Sequence, residues 1–180
     1  FLLHNIGNRI SPTKIANTLK SQGKGVDQKT ADRYLRGLTD SLMIYEAVRY
    51  NIKGKQFLTQ QNKYYAVDVT LRNILVRGRD SDIGHILENI VYLELLRRGY
   101  EVYVGQLAGG SEIDFVASDA QGIVYYQVAA TTLEEETLKR ELAPLRKIED
   151  NYPKYLLTLD EVFGNGDYEG IKKKNVLDWL

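Results

Sequence analysis

The sequence has no cysteine among its 180 residues. Disulfides, thiol nucleophiles and thiolate zinc sites are therefore excluded, and a reducing, cytoplasmic setting is expected. Two histidines, His4 and His85, leave little for imidazole-based zinc chemistry. No apolar run approaches the roughly 18 residues that a membrane-spanning helix needs, because charges interrupt even the stretch from Ile83 to Leu96. No membrane association is expected. The chain opens Phe-Leu-Leu, its only methionine is Met43, and it has no basic n-region, so it reads as a piece of something longer. A G-x-x-x-x-G-K-[ST] run is also missing, so no nucleotide site is assigned within these residues. Net charge is absent too: 24 Lys+Arg oppose 24 Asp+Glu, which argues against a uniformly basic coat protein or an acidic solvating tail.

What is present is ordinary globular composition, 43% hydrophobic and 27% charged, in a chain long enough for one domain or two small ones. The neutral total conceals a division. Residues 1–82 hold 14 Lys+Arg against 7 Asp+Glu, and residues 83–180 hold 10 against 17. Charges of +7 and −7 point to two modules with different partners, the first being the candidate for a polyanion such as DNA.

In the first half, Ser11-Pro12 opens a helix: Ser caps free backbone N–H groups, and Pro at the first position loses no hydrogen bond. Ile15, Ala16 and Leu19 form its apolar stripe, and Gly23 ends it. A second helix follows Asp27, burying Ala31, Leu35, Leu38 and Leu42. Lys29, Arg33 and Arg36 recur on the opposite side at i, i+4 and i+7. Two short helices joined by a glycine-containing turn describe a helix-turn-helix. A hairpin follows, with strands at Tyr45–Tyr50 and from Gln56, and Lys53 and Lys55 in its turn. Arg49 and Lys63 belong to the same hairpin, which stands where a winged helix keeps its wing. The expected DNA contacts are Lys29, Arg33 and Arg36 in the major groove and Lys53 and Lys55 at phosphates. A packing or protein-docking role for the same elements is the alternative.

The second half begins with a strand at Lys63–Asp68 and a short helix from Thr70. A helix from Ile83 to Arg98 is apolar almost all round, which describes a buried element. Glu88 lies inside it, where a carboxylate needs a partner, a hydrogen bond or a metal. A strand follows at Tyr100–Val104. The stretch from Glu112 to Ala117 alternates, placing Glu112 and Asp114 on one face and Ile113, Phe115 and Ala117 on the other. A strand at Ile123–Ala130, a helix over Thr132–Asp150 and strands at Lys154–Leu159 and near Lys174–Trp179 complete an α/β (α+β overall) domain with a mixed sheet.

Glu88, Asp114 and the strand from Ile123 resemble the restriction-endonuclease-like, or PD-(D/E)XK, fold. The resemblance implies that a helical Glu and a strand Asp hold magnesium, and that the next strand offers an acid, one intervening residue and a Lys. Residues i and i+2 on a strand face the same way, so the acid completes the metal shell while the Lys orients the attacking water. Here those positions are Gln127 and Ala129. Gln offers an uncharged oxygen and Ala offers nothing. The metal candidates are thus Glu88 and Asp114, with Glu112 as a helper, and the catalytic set of an active nuclease would be Glu88, Asp114 and Gln127. Lys139 and Arg140 are candidates to replace the missing lysine. The expectation is an inactive nuclease-like scaffold; the alternative is that Glu88 and Asp114 are structural carboxylates, one capping backbone groups and the other salt-bridged to an Arg.

A second resemblance covers almost the whole chain. Ser11–Leu42, Lys63-Tyr64-Tyr65 with Asp68, Leu71-Arg72-Asn73, Leu87-Glu88-Asn89 and Arg97-Arg98-Gly99-Tyr100 carry it. Glu112-Ile113-Asp114-Phe115, Gln127-Val128, Glu141 with Leu145, and Tyr152-Pro153-Lys154-Tyr155 continue it. Together they resemble the C-terminal domain of unknown function of prokaryotic AAA-type ATP-binding proteins. The resemblance implies an ATP-binding domain before Phe1, a winged helix-turn-helix over 1–62, and a nuclease-like domain over 63–180 with a connecting strand and helix at 63–82. A recognition or regulatory role on DNA or a protein partner is expected, without enzymatic activity in these residues. An active magnesium-dependent nuclease and a protein-interaction module without nucleic acid are the alternatives.

Overall fold

The computed structural model describes residues 1–76 and 83–180. The stretch 77–82, part of the expected connector, lies outside the described residues. Helices α1 (Pro12–Ser21) and α2 (Gln28–Asp40) begin at their capping residues. Ser11 accepts the Lys14 N–H at 3.2 Å, and Asp27 accepts that of Thr30 at 2.6 Å. Ala31 and Leu35 of α2 pack with Ile10, Ile15, Ile44 and Tyr64 in a small core. Strands β1 (Ile44–Asn51) and β2 (Gln56–Ala66) then form an antiparallel hairpin. Position 62, where the modules were expected to divide, falls inside β2.

After α3 (Val69–Val76) and α4 (Ile83–Arg97) come β3 (Glu101–Gln106), β4 (Glu112–Asp119) and β5 (Gly122–Ala129), then α5 (Glu135–Arg146) and β6 (Lys154–Thr158). β7 (Gly166–Tyr168), β8 (Ile171–Asn175) and α6 (Val176–Trp179) close the described fold. The eight strands of the described residues make one mixed sheet in the order β2-β1-β3-β4-β5-β6-β8-β7. β1 runs parallel to β3, pairing Arg49 with Val104, so the hairpin extends the sheet of the second half. One face is covered by Leu87, Val91, Tyr92 and Leu95 of α4 and by Trp179 of α6. The other is covered by Leu142 and Leu145 of α5.

Three differences from the sequence reading have local causes. The helix expected over 132–150 is shorter, because the Thr132 N–H and hydroxyl are held by the Asp160 carboxylate, both at 2.9 Å. The last strand ends at Asn175, whose side chain accepts the Leu177 N–H at 2.8 Å and starts α6 instead. In β4 the register shifts between the Tyr103–Val116 and Gly105–Ile113 pairs, so Asp114 and Phe115 stand opposite Val104 alone. This bulge redirects the alternation. Phe115 and Ala117 join the α4-side core, whereas Ile113 joins the α5-side core. Gly105 is required beside it, since a Cβ there would lie 2.9 Å from that of Ile113.

Candidate functional site

Glu88 sits on the inward side of α4, only 7% exposed. Its partners come from β2, where Lys63 and Tyr65, two residues apart, face the same way. Lys63 Nζ lies 2.9 Å from Glu88 Oε1, and the Tyr65 hydroxyl donates to the same oxygen at 2.6 Å. The neighbouring Asn89 clasps Ala66, accepting its N–H at 2.8 Å and donating to its carbonyl at 2.9 Å. His85, one turn earlier, places Nδ1 at 3.8 Å from Glu88 Oε2. On the remaining side Gly7 holds φ +73°, where a Cβ would stand 3.2 Å from Oε2.

Asp114 arrives from the bulge. The β4–β5 ladder ends at the Phe115–Tyr126 pair, and side chains take over beyond it. Asp114 Oδ2 accepts the Val128 N–H at 2.9 Å, and Gln127 Oε1 accepts the Asp114 N–H at 3.4 Å. Gln127 Nε2 donates to Glu141 of α5 at 3.0 Å. Asp114 Oδ1 is 3.7 Å from Lys63 Nζ, so a single ammonium stands between two carboxylates.

The three groups titrate accordingly. Burial, and then the Glu88 charge, push the Asp114 carboxyl up to about 7 against the pull of Lys63 and the Val128 N–H. Burial acts the same way on Glu88, but the Lys63 charge, the nearby His85 and the hydrogen bonds from Lys63 and Tyr65 outweigh it. Glu88 is held below the ordinary carboxylate range. Burial also opposes the Lys63 charge, and the attraction of Glu88 and Asp114 overcomes it, keeping the amine protonated.

Glu88, Asp114 and Gln127 therefore line one open cleft of about 480 Å³, with Ala129 and Arg140 at its edge. Glu112 does not join them. It accepts from Arg9 Nε at 2.6 Å and lies 3.5 Å from Arg49 Nε. Lys139 pairs with the exposed Glu135 at 2.6 Å, away from the acids. Arg140 lines the cleft and pairs there with Glu141 at 3.0 Å. The cation at the acids is Lys63, which the sequence places in the hairpin, at the start of the strand 63–68 and in the Lys63-Tyr64-Tyr65 resemblance, but not in the acidic site. Its alternation with Tyr65 in an aromatic strand was the available signal.

Magnesium requires a near-octahedral oxygen shell at roughly 2.0–2.1 Å. Lys63 and Tyr65 already use Glu88 Oε1, Val128 uses Asp114 Oδ2, and Gln127 Oε1 faces a backbone N–H. Among the described residues no group of three or more His, Asp or Glu is placed to hold a metal. With Lys63 in position, this donor set does not fit a divalent cation.

Lys29, Arg33 and Arg36 are exposed on the outer side of α2 and line a shallow groove with Asp27 and Asp32. Asp32 pairs with Arg36 at 2.9 Å, leaving Lys29 and Arg33 as the stronger cationic pair of that face. Lys53 and Lys55 stand elsewhere. They line a cleft with Lys147 and Asp150 at the far end of β1, roughly 23 Å along an eight-residue strand from Ile44. No helix among the described residues is long and apolar enough to cross a membrane.

Residues 1–82, the half that carries the positive charge, match a family described as a domain of unknown function (DUF8612). Over all 180 residues the chain is 40% identical to an "Uncharacterized protein" of Haemophilus influenzae, covering 44% of that protein. Over 99 residues, 55% of the chain, it is 32% identical to "Uncharacterized protein MJ1544" of Methanocaldococcus jannaschii, covering 22% of it. The chain thus spans less than half the length of these curated relatives. No solved structure matches.

Proposed function

We propose that these residues form the recognition region of a larger AAA-type ATP-binding protein, docking DNA through a winged-helix-like first half on a nuclease-like scaffold that does not cleave. The observation that carries the reading is the amphipathic division of α2. Ala31 and Leu35 are buried, while Lys29, Arg33 and Arg36 face solvent. A helix pair followed by a hairpin suits a winged helix. The α4-β3-β4-β5-α5-β6 order, with Glu88 and Asp114 in one cleft, suits the PD-(D/E)XK scaffold. Non-cleavage is supported by the Lys63 ammonium between the acids and by the uncharged Gln127 and Ala129. More than half of the H. influenzae relative lies outside the matched region, which leaves room for an ATP-binding domain.

Lys29→Glu with Arg33→Glu is expected to abolish a salt-sensitive gel shift with duplex DNA. Each lost phosphate contact should lower the log–log salt slope by about 0.9. An unchanged shift in the variant rejects the α2 interface, and no shift in the wild type leaves docking of a protein partner. One observation favours a magnesium-dependent nuclease instead: Glu88, Asp114 and Gln127 line an accessible cleft, and Lys63 Nζ lies 2.9 Å from Glu88. That reading requires magnesium- or manganese-dependent cleavage that disappears in Asp114→Asn.

A further inference from the structure

The Glu88–Asp114 site is fastened by the hairpin strand β2. Lys63 and Tyr65 of β2 both reach Glu88, Lys63 also faces Asp114, and Asn89 beside Glu88 holds both backbone groups of Ala66. We propose that the Lys63 ammonium is the resident cation of the Glu88–Asp114 site, standing where a divalent metal would otherwise bind, so that the cleft takes such an ion only when this amine is removed. The inference rests on the reading of the scaffold as non-cleaving and explains how an acid pair persists there without a metal.

The geometry leaves no room for both cations. An ammonium 2.9 Å from Glu88 Oε1 and 3.7 Å from Asp114 Oδ1 fills the space between the carboxylates. An ion ligated by both at metal–oxygen distances of roughly 2.0–2.6 Å would overlap it. The Lys63 side chain is only 8% exposed, so the amine is enclosed rather than lying at the surface. Charge works in the same direction. One ammonium and two carboxylates leave a single negative charge, whereas removal of the amine leaves two acids buried side by side. Buried uncompensated carboxylates are strongly disfavoured, and a hard cation with oxygen ligands relieves them. Asp114 and Gln127 line an open cleft, which gives an incoming ion its path.

The test compares thermal unfolding of the wild type and Lys63→Met, with and without millimolar Mn²⁺. The expected result is an unmoved Tm for the wild type and a raised Tm for Lys63→Met. That rise should vanish when Asp114→Asn is added. A Mn²⁺-dependent rise in the wild type that Asp114→Asn removes overturns the inference, and so does a folded Lys63→Met that ignores Mn²⁺. If Lys63→Met is recovered unfolded, circular dichroism after refolding with and without Mn²⁺ decides. Recovery by the ion supports the inference, and failure in both conditions overturns it. A cleavage assay on the same wild-type sample separates the two levels. Mn²⁺ binding without cleavage removes only the resident-cation inference, whereas Mn²⁺-dependent cleavage removes the non-cleaving reading as well.

Discussion

Lys173 and Lys63 are both buried ammonium groups on strands of the same sheet, yet one faces a single carboxylate and the other faces two. Lys173 lies 2.8 Å from Asp160, and both side chains are 2% exposed. Asp160 also accepts from the hydroxyls of Thr131 at 2.6 Å and Thr132 at 2.9 Å, and from the Thr132 N–H. Burial opposes its charge, but these donors win and its pKa is depressed. The Asp160 backbone is sealed as well, since a Cβ on Gly164 would come 2.2 Å from its carbonyl oxygen. Around Lys63 the proportions are reversed. Glu88 takes the close contact, Asp114 takes what remains, and the Asp114 pKa rises. The ratio of donors to buried carboxylates, rather than burial alone, decides whether an acid is settled in the fold or sensitive to its surroundings.

The strongest way to break this contrast is to remove one member from each cluster. Lys173→Met leaves Asp160 buried without its cation and is expected to cost about 3–5 kcal/mol in denaturant unfolding. Asp114→Asn at pH 8 is expected to cost little or to stabilise, because it removes the acid that burial and Glu88 disfavour. An amide oxygen can still accept the Val128 N–H, and Lys63 keeps Glu88. Equal losses in the two variants would erase the distinction.

A smaller effect sharpens it through pH. The folded Asp114 pKa of about 7 lies above its ordinary 3.8, so the folded state binds a proton that the unfolded chain releases. Its contribution is full below about pH 4 and is lost as pH rises towards 7. Asp160 has the opposite sign: its contribution is present above its ordinary 3.8 and is lost as pH falls below that value. Unfolding measured across pH should show the wild type losing stability relative to Asp114→Asn between pH 4 and 7. The matching comparison with Asp160→Asn should change only at lower pH.

Much of the fold can be read from local chemistry. Ser11 and Asp27 announce the helix starts, and a carboxylate within the apolar pattern of 83–98 marks Glu88 for attention. The convergence of Glu88, Asp114 and Gln127 follows from strand and helix periodicity combined with a resemblance. Lys63 is another matter. Its partner Glu88 lies 25 residues onward, whereas the nuclease-like spacing points for a lysine only to the strand from Ile123 and the next helix. β2 reaches the acids because α4 packs against β2, β3, β4 and β5 alike, a placement that no local pattern encodes. The bulge at Asp114 and Phe115 escapes for a similar reason, since it is set by pairing with β3 and by Gly105.

Lys63 of β2 and Glu88 of α4 form a coupled pair that ties the hairpin to the helix. A double-mutant cycle with Lys63→Met, Glu88→Gln and the combined variant, read by denaturant unfolding, tests it most directly. The expected coupling is about 2–3 kcal/mol, with the double variant more stable than the summed single losses imply. Additivity within about 0.5 kcal/mol would contradict the account, because independent residues behave that way.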